Sequence, residues 1–238
     1  MHFRKAPVFS FYVNERHPLL YNKSGGVFTL EKFQHVIRSV EELEQLAGKP
    51  RELVNQKVVA SLDRHCRHFI SLSPLVFVAT SGADGSCDCS PRGDAPGFAY
   101  ILDEHHLILP ERPGNRRYDS LRNLLENPRI GLIFVIPGLE ETLRVNGKAC
   151  IVRDPDLMER MSAHGKTPAA GIAVEVEECY IHCAKAFKRS RLWQTDAWPE
   201  AESLPDPAAI IAAHAGKLRL STEEVRASLA ESYEKRLY

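Results

Sequence analysis

Leu75-Val76-Phe77-Val78-Ala79-Thr80, followed by Gly82-Ala83-Asp84-Gly85 and then Ser86 to Ser90, is the run of residues that decides the fold. The first six are apolar and rich in β-branched side chains, which suits a buried strand. The four residues after Ser81 supply a turn, so residues 86–90 are predicted to return as the antiparallel partner. Further strands are expected at residues 98–102, 106–109, 130–136, 142–152 and 172–186. Between them one helix is expected over residues 116–126, ended by Asn127-Pro128, and a shorter one over 155–163. Short turns with only occasional helices favour an antiparallel sheet closed into a small barrel over a parallel wound sheet.

Outward from this centre the pattern becomes helical on both sides. Thr29 can cap a helix whose apolar positions Phe33, Val36, Ile37, Val40, Leu43 and Leu46 recur at three and four, with Gly48 and Pro50 as the stop. Two further helical stretches are expected over residues 51–62 and on to Ser71. The tail from Pro205 reads as helices over 207–215 and 222–237. Residues 1–28, broken by Pro7, Pro18, Gly25 and Gly26, read as an ordered arm whose Phe3, Phe9, Phe11 and Tyr12 pack on the body. The expected organisation is an arm (1–28), a central domain with its leading helices (29–200) and a helical extension (201–238).

Composition narrows the class. Thirty-one basic residues balance 31 acidic ones, so no bulk charge draws the chain to nucleic acid or an anionic membrane surface. No apolar run approaches the ~20 residues of a membrane helix, and the first twelve residues do not form a secretory signal, so the expected location is the cytoplasm. Six cysteines in 238 residues are too sparse for a disulfide scaffold and are expected to be reduced. Their spacings do not match a zinc site: Cys179 and Cys183 stand about 13 Å apart on a strand. No metal is expected.

Three segments could carry chemistry. In Pro113-Gly114-Asn115-Arg116-Arg117-Tyr118-Asp119, Asn115 is a good helix cap and two arginines would fill the first turn, where helix electrostatics favour acidic residues. Free N–H groups beside guanidinium groups suit a phosphate; the plain alternative is a solvated helix start. In Ser90-Pro91-Arg92-Gly93-Asp94-Ala95-Pro96-Gly97, Arg92 either faces a ligand or pairs with Asp94 inside a tight loop. In Tyr180-Ile181-His182-Cys183-Ala184-Lys185, an extended chain puts Ile181, Cys183 and Lys185 on one face. Lys185 then points at something specific or is a solvated edge residue. His164 and His182 could be general bases, although lone histidines are more often structural. No Gly-rich nucleotide fingerprint, P-loop or Gly-x-Ser-x-Gly elbow is present.

Taken together and in order, these segments resemble the pyridoxamine-5′-phosphate-oxidase-like FMN-binding split barrels, and within them a bacterial branch of FMN-dependent enzymes. The matching text is Ser90-Pro91-Arg92-Gly93-Asp94, Pro96-Gly97-Phe98, Pro113-Gly114-Asn115-Arg116, Asn127-Pro128, Pro137-Gly138, residues 141–149, residues 182–186, Arg189-Ser190 and Leu192-Trp193. The resemblance implies an α+β, mainly antiparallel Greek-key split barrel with terminal helices. It also implies a homodimer with FMN at the subunit interface, and redox chemistry on a small-molecule substrate. It implies that Arg92, Arg116 and Arg117 hold the FMN phosphate, and that Thr142 stands where a flavin-contacting Gln occurs five residues before a strand Gly, here Gly147. Lys185 and Trp193 are expected near the flavin ring, and Ser90, Asn115 and Ser190 lie in the same matched motifs. The chain departs from the oxidases where Leu109-Pro110 replaces a Tyr-Thr pair and in lacking an Arg-x-His-Asp-Arg-like C-terminal segment, so oxidation of vitamin B6 is not implied. A flavin carrier or sensor without turnover, and a split barrel using deazaflavin F420 or haem, are the competing readings.

Overall fold

The computed structural model describes residues 33–238 and the paired strands β1 (Leu20–Tyr21) and β2 (Val27–Phe28). The chain divides into two compact units, Met1–Pro50 and Arg51–Tyr238. In the first, β1 and β2 pair antiparallel, and α1 (Val40–Ala47) follows. The expected packing of Phe3, Phe9, Phe11 and Tyr12, and the cap at Thr29, lie outside the described residues. The helix expected from Thr29 is shorter: residues 33–38 are not helical. Ser39 starts it by accepting from the Glu42 N–H at 3.1 Å, while the Glu42 carboxylate takes the Arg38 N–H at 2.7 Å. These two bonds satisfy N–H groups at the helix start, and the apolar spacing upstream of it does not extend the helix.

The second unit is built on a seven-stranded antiparallel sheet. Its strands are β3 (Leu75–Ser81), β4 (Cys87–Gly93), β5 (Tyr100–Ile101), β6 (His106–Pro110), β7 (Arg129–Val135), β8 (Thr142–Val152) and β9 (Gly171–His182). Their spatial order is β4-β3-β7-β8-β9-β6-β5. The β3–β4 hairpin is the expected one, with Gly85 at φ +83° closing the turn and the Gly82 N–H bonded to Ser86 O at 2.8 Å. The β5–β6 hairpin forms the opposite edge, and α4 (Asp119–Glu126) carries the chain back so that β7 joins β3. The ladder does not close into a ring, because β4 and β5 are both edges. The antiparallel α+β split sheet is as expected, whereas full closure by hydrogen bonds is not made.

The inner face of the sheet holds the main core. Period-two burial on β3 and β7 sends Val76, Val78, Ile130, Leu132 and Phe134 inward. They meet Leu62 and the apolar side of α3 (Arg64–Leu72), namely Cys66, Phe69 and Ile70. A bulge between Asn146 and Gly147 of β8 shifts the register, so Asn146 faces Glu178 while Gly147 faces Val176. The buried set on β9 accordingly changes parity, from Ile172, Val174 and Val176 to Cys179. On the other face of β6, Ile108 packs with Met158 and Met161 of α5 (Pro155–Arg160) and the residue after it. The stretch expected to be helical over 51–62 is the single short helix α2 (Glu52–Gln56). The tail forms α7 (Pro207–His214) and α8 (Thr222–Lys235), close to expectation. No helix among the described residues is long and apolar enough to cross a membrane.

Candidate functional site

Alternation on β4 places Asp88, Ser90 and Arg92 on one side, against the start of α4. Ser120, buried in the first turn of α4, donates its hydroxyl to Asp88 Oδ2 at 2.6 Å, and Ser90 Oγ lies 3.2 Å from the same oxygen. Arg92 reaches back along the strand: Nη1 donates to Ser90 Oγ at 3.0 Å and to the Pro91 carbonyl at 3.0 Å, and Nη2 to Ser120 Oγ at 3.4 Å. Its Nε donates to Glu111 Oε2 at 3.2 Å. The guanidinium therefore pairs with Glu111, and not with Asp94 as one sequence reading had it. Side-chain amides of Asn123 and Asn127 bond Thr80 Oγ1 and Ser81 O at 3.0 and 3.1 Å, which fixes α4 on β3.

The two arginines after Asn115 are not in the first turn of a helix. Asn115 Oδ1 accepts from the Arg117 N–H at 3.0 Å, which makes a local turn, and Arg116 and Tyr118 sit at φ +60° and +59°. Two left-handed residues cannot propagate a helix, so α4 waits until Asp119. Its cap residue, Tyr118, makes no side-chain bond to the helix, which leaves first-turn N–H groups available. Arg117 projects into solvent and donates through Nε to Asp119 Oδ2 at 2.8 Å. Asp119 first, and Asp88 more weakly, raise its pKa and so favour the charged guanidinium. Ser90 and Arg92 thus meet Ser120 at the start of α4, and Asn115, Arg116 and Arg117 lie in the loop that leads into that helix.

Asp94, in the loop after β4, is a separate knot. Its side chain is 3% exposed and takes Arg112 Nε at 2.7 Å, the Tyr238 hydroxyl at 2.8 Å and the Ala95 N–H at 2.7 Å. Burial pushes its pKa up, but the Ala95 N–H, the Tyr238 hydroxyl and Arg112 outweigh burial and hold it below the usual carboxylate range. A depressed folded pKa gives stability that is present above the unfolded value and lost as pH falls through the folded one. Asp94→Asn is therefore expected to lower stability by roughly 1.5–3 kcal/mol at pH 7. The gap to wild type should shrink below about pH 4, where the unfolded Asp protonates. Urea midpoints of both proteins at pH 7 and pH 3 check this; an equal gap at the two values would contradict it.

The remaining expected residues collect at the other end of β8. Thr142 opens that strand, buried, opposite His182. There β9 runs out of ladder, so the chain leaves it, and Lys185 is the first residue of α6 (Lys185–Ser190), exposed. The strand face expected to join Ile181, Cys183 and Lys185 does not exist. Ser190 Oγ is turned to the Phe187 carbonyl at 3.1 Å. Trp193 stacks on Phe187, with ring centroids 5.8 Å apart, and its Nε1 donates to the Leu139 carbonyl at 2.9 Å. Lys188 pairs with Glu140. Sequence reasoning gave Arg144 and Lys57 no role, yet both lie near the Tyr180 ring, at 5.3 and 5.7 Å. Burial, then the charges of Arg144 and Lys57, lower the His182 pKa and so favour the neutral imidazole. The register that aligns β8 with β9 was the missing signal. Strands β3 and β7 separate this group from the β4 group, about 14 Å of sheet. Among the described residues, no three His, Cys, Asp or Glu are placed to hold a metal ion.

Comparison with known proteins adds the following. The family described as pyridoxamine 5′-phosphate oxidase matches residues 62–183. No curated protein matches. Among solved structures, HupZ of Group A Streptococcus is 20% identical, with a TM-score of 0.42, over 50% of this chain and 92% of its own. A Clostridium acetobutylicum protein related to general stress protein 26, of the pyridoxinephosphate oxidase family, is 18% identical (TM-score 0.37; 50% and 85% covered). The FAD-binding protein of Mycobacterium smegmatis is 17% identical (TM-score 0.36; 52% and 97%). The family match spans half the chain, from the residue before the cap of α3 to just past the end of β9, and so takes in the whole sheet: the chain belongs to the pyridoxamine 5′-phosphate oxidase family.

Proposed function

We propose that the protein is an FMN-binding oxidoreductase that passes electrons or hydride between the flavin and a small molecule. The observation that carries the reading is the loop before α4, where Arg116 and Arg117 stand beside a helix start without a side-chain cap. A phosphate dianion fits that donor set. Arg92 supports it differently in this geometry: held by Glu111, Ser90 and Ser120, it braces β4 against α4 and presents the Ser90–Ser120 pair to the same corner. FMN, when bound, supplies the redox chemistry, and the protein supplies position and charge.

The ring end fits the second group. Lys185 is exposed, His182 favours its neutral form, and Thr142 and Trp193 frame the end of β8. Because about 14 Å of sheet separates the groups in one copy, we propose that a homodimer completes each site, one copy holding the phosphate and the other facing the ring. The outer face of β3 and β7 favours such a partner. Phe77 and Ile133 are paired across the strands and each is 39% exposed, with Pro91 beside Phe77 on β4.

The visible spectrum of freshly purified protein tests the cofactor. The paired absorption bands of an oxidised flavin are expected; a single deazaflavin band or a haem Soret band would replace FMN in this reading. Reduction by NAD(P)H followed by reoxidation with a second substrate is expected of an enzyme, and its absence would favour a carrier or sensor. Light scattering of the flavin-loaded protein at micromolar concentration is expected to give a dimer, and a monomer would contradict the shared site.

A further inference from the structure

We propose that Cys66 and Cys179 form a dithiol modification site, which a peroxide closes into a disulfide that pins α3 to β9. The two Sγ atoms are 3.2 Å apart although 113 residues separate them in sequence. Neither is on the surface: Cys66 is 8% and Cys179 0% exposed. Their backbones are held independently. Cys66 lies in the first turn of α3, its N–H donating to Asp63 Oδ1 at 2.8 Å. Cys179 exchanges both backbone bonds with Val59, at 2.7 and 3.0 Å, and faces the core because the β8–β9 bulge reverses the parity of its strand. A disulfide needs the sulfurs about 2.05 Å apart, an approach of roughly 1 Å from here.

The other thiols are not so placed. Cys87, Cys89, Cys150 and Cys183 are exposed. Cys87 and Cys89 stand two apart on one strand, about 6.6 Å by strand rise, beyond the ~3.8 Å Cβ separation of a disulfide.

The pair is also divided chemically. The Cys179 thiol donates to Cys66 sulfur, which lowers the Cys66 pKa against burial and the nearby Asp63 carboxylate, and that same bond together with burial pushes Cys179 up. Cys66, in the first turn of α3 and the less buried of the two, is the nucleophile, and Cys179 is the resolving thiol. In the first step the Cys66 thiolate attacks one oxygen of hydrogen peroxide. The O–O bond breaks, the leaving hydroxide takes a proton to become water, and Cys66 becomes a sulfenic acid. In the second, Cys179 sulfur gives up its proton and attacks Cys66 Sγ; the S–O bond breaks and a second water leaves. The sum is two thiols and one peroxide giving one disulfide and two waters.

The test uses the full chain with Cys87, Cys89, Cys150 and Cys183 all changed to Ser, which leaves only the proposed pair. After hydrogen peroxide treatment, denaturation and alkylation, loss of both thiols is expected, with a Cys66–Cys179 crosslinked peptide that disappears on reduction. Closing a loop of this length is expected to raise Tm by roughly 5–15 °C, reversed by dithiothreitol. In the otherwise wild-type chain, Cys66→Ser and Cys179→Ser are each expected to abolish the shift. Two alkylated thiols after oxidation, or Cys66 carried to a sulfinic acid with Cys179 still a thiol, would overturn the proposal.

Discussion

Gly147→Ala is expected to destabilise the sheet by about 3 kcal/mol or more, at the upper end for an overpacked core. A β-carbon at Gly147 would stand 2.0 Å from the Glu175 carbonyl oxygen and 3.0 Å from its carbon. Those atoms are backbone of β9, so no side-chain rotation relieves the overlap. The bulge would have to reopen, and with it the register that turns Cys179 into the core and sets Thr142 against His182. In thermal terms the loss is roughly 6–12 °C for a domain of this size. Gly216→Ala is the control, because an added β-carbon meets nothing within 4 Å there. Its change is expected to stay within ~0.5 kcal/mol. Equal midpoints for the two variants would show that β8 and β9 do not approach so closely at the bulge.

Arg116→Ala and Arg117→Ala are each expected to weaken FMN binding by about 10- to 150-fold, since a hydrogen bond to a charged group is worth roughly 1.5–3 kcal/mol. Arg117 should fall toward the lower figure, because Asp119 already holds its Nε and competes with a phosphate. Arg116 makes no ion pair among the described residues and is the freer donor. Alanine keeps its β-carbon, so the left-handed backbone at Arg116 is no more strained than before. Losses in the double variant should be less than additive, because both groups would serve one phosphate. Riboflavin separates the explanations: it keeps the ring and lacks the phosphate, so its affinity should barely change. Titrations of both ligands into the apo proteins decide the matter. Equal loss for the two, or none for either, would place the phosphate elsewhere.

Patterns confined to one element were legible in the sequence, and patterns made between elements were not. The apolar, β-branched run and the Gly-rich turn announced the β3–β4 hairpin, and residues 142–152 form a strand with the expected bounds. Lys185 went astray because a strand lasts only while its neighbour does. β8 begins at Thr142, so β9 ends at His182, and no local periodicity records that. The helix start expected at Arg116 failed for a related reason. An Asx turn and two left-handed residues look, in one dimension, like a well-capped helix start. The resemblance to the family placed the arginines in one neighbourhood, but Glu111 as the counterion of Arg92 required the fold.

Pro91 has a part to play at the margin of the sheet. It lies in the middle of β4, an edge strand, directly across from Phe77. A proline fits a ladder only where its missing N–H would point away from the neighbouring strand. On β4 that direction is outward, so the free edge lacks one of the donors an incoming strand would need. The edge also carries Asp88 and Arg92 within the same seven residues. Proline and charge together make β4 a poor template for indefinite strand addition.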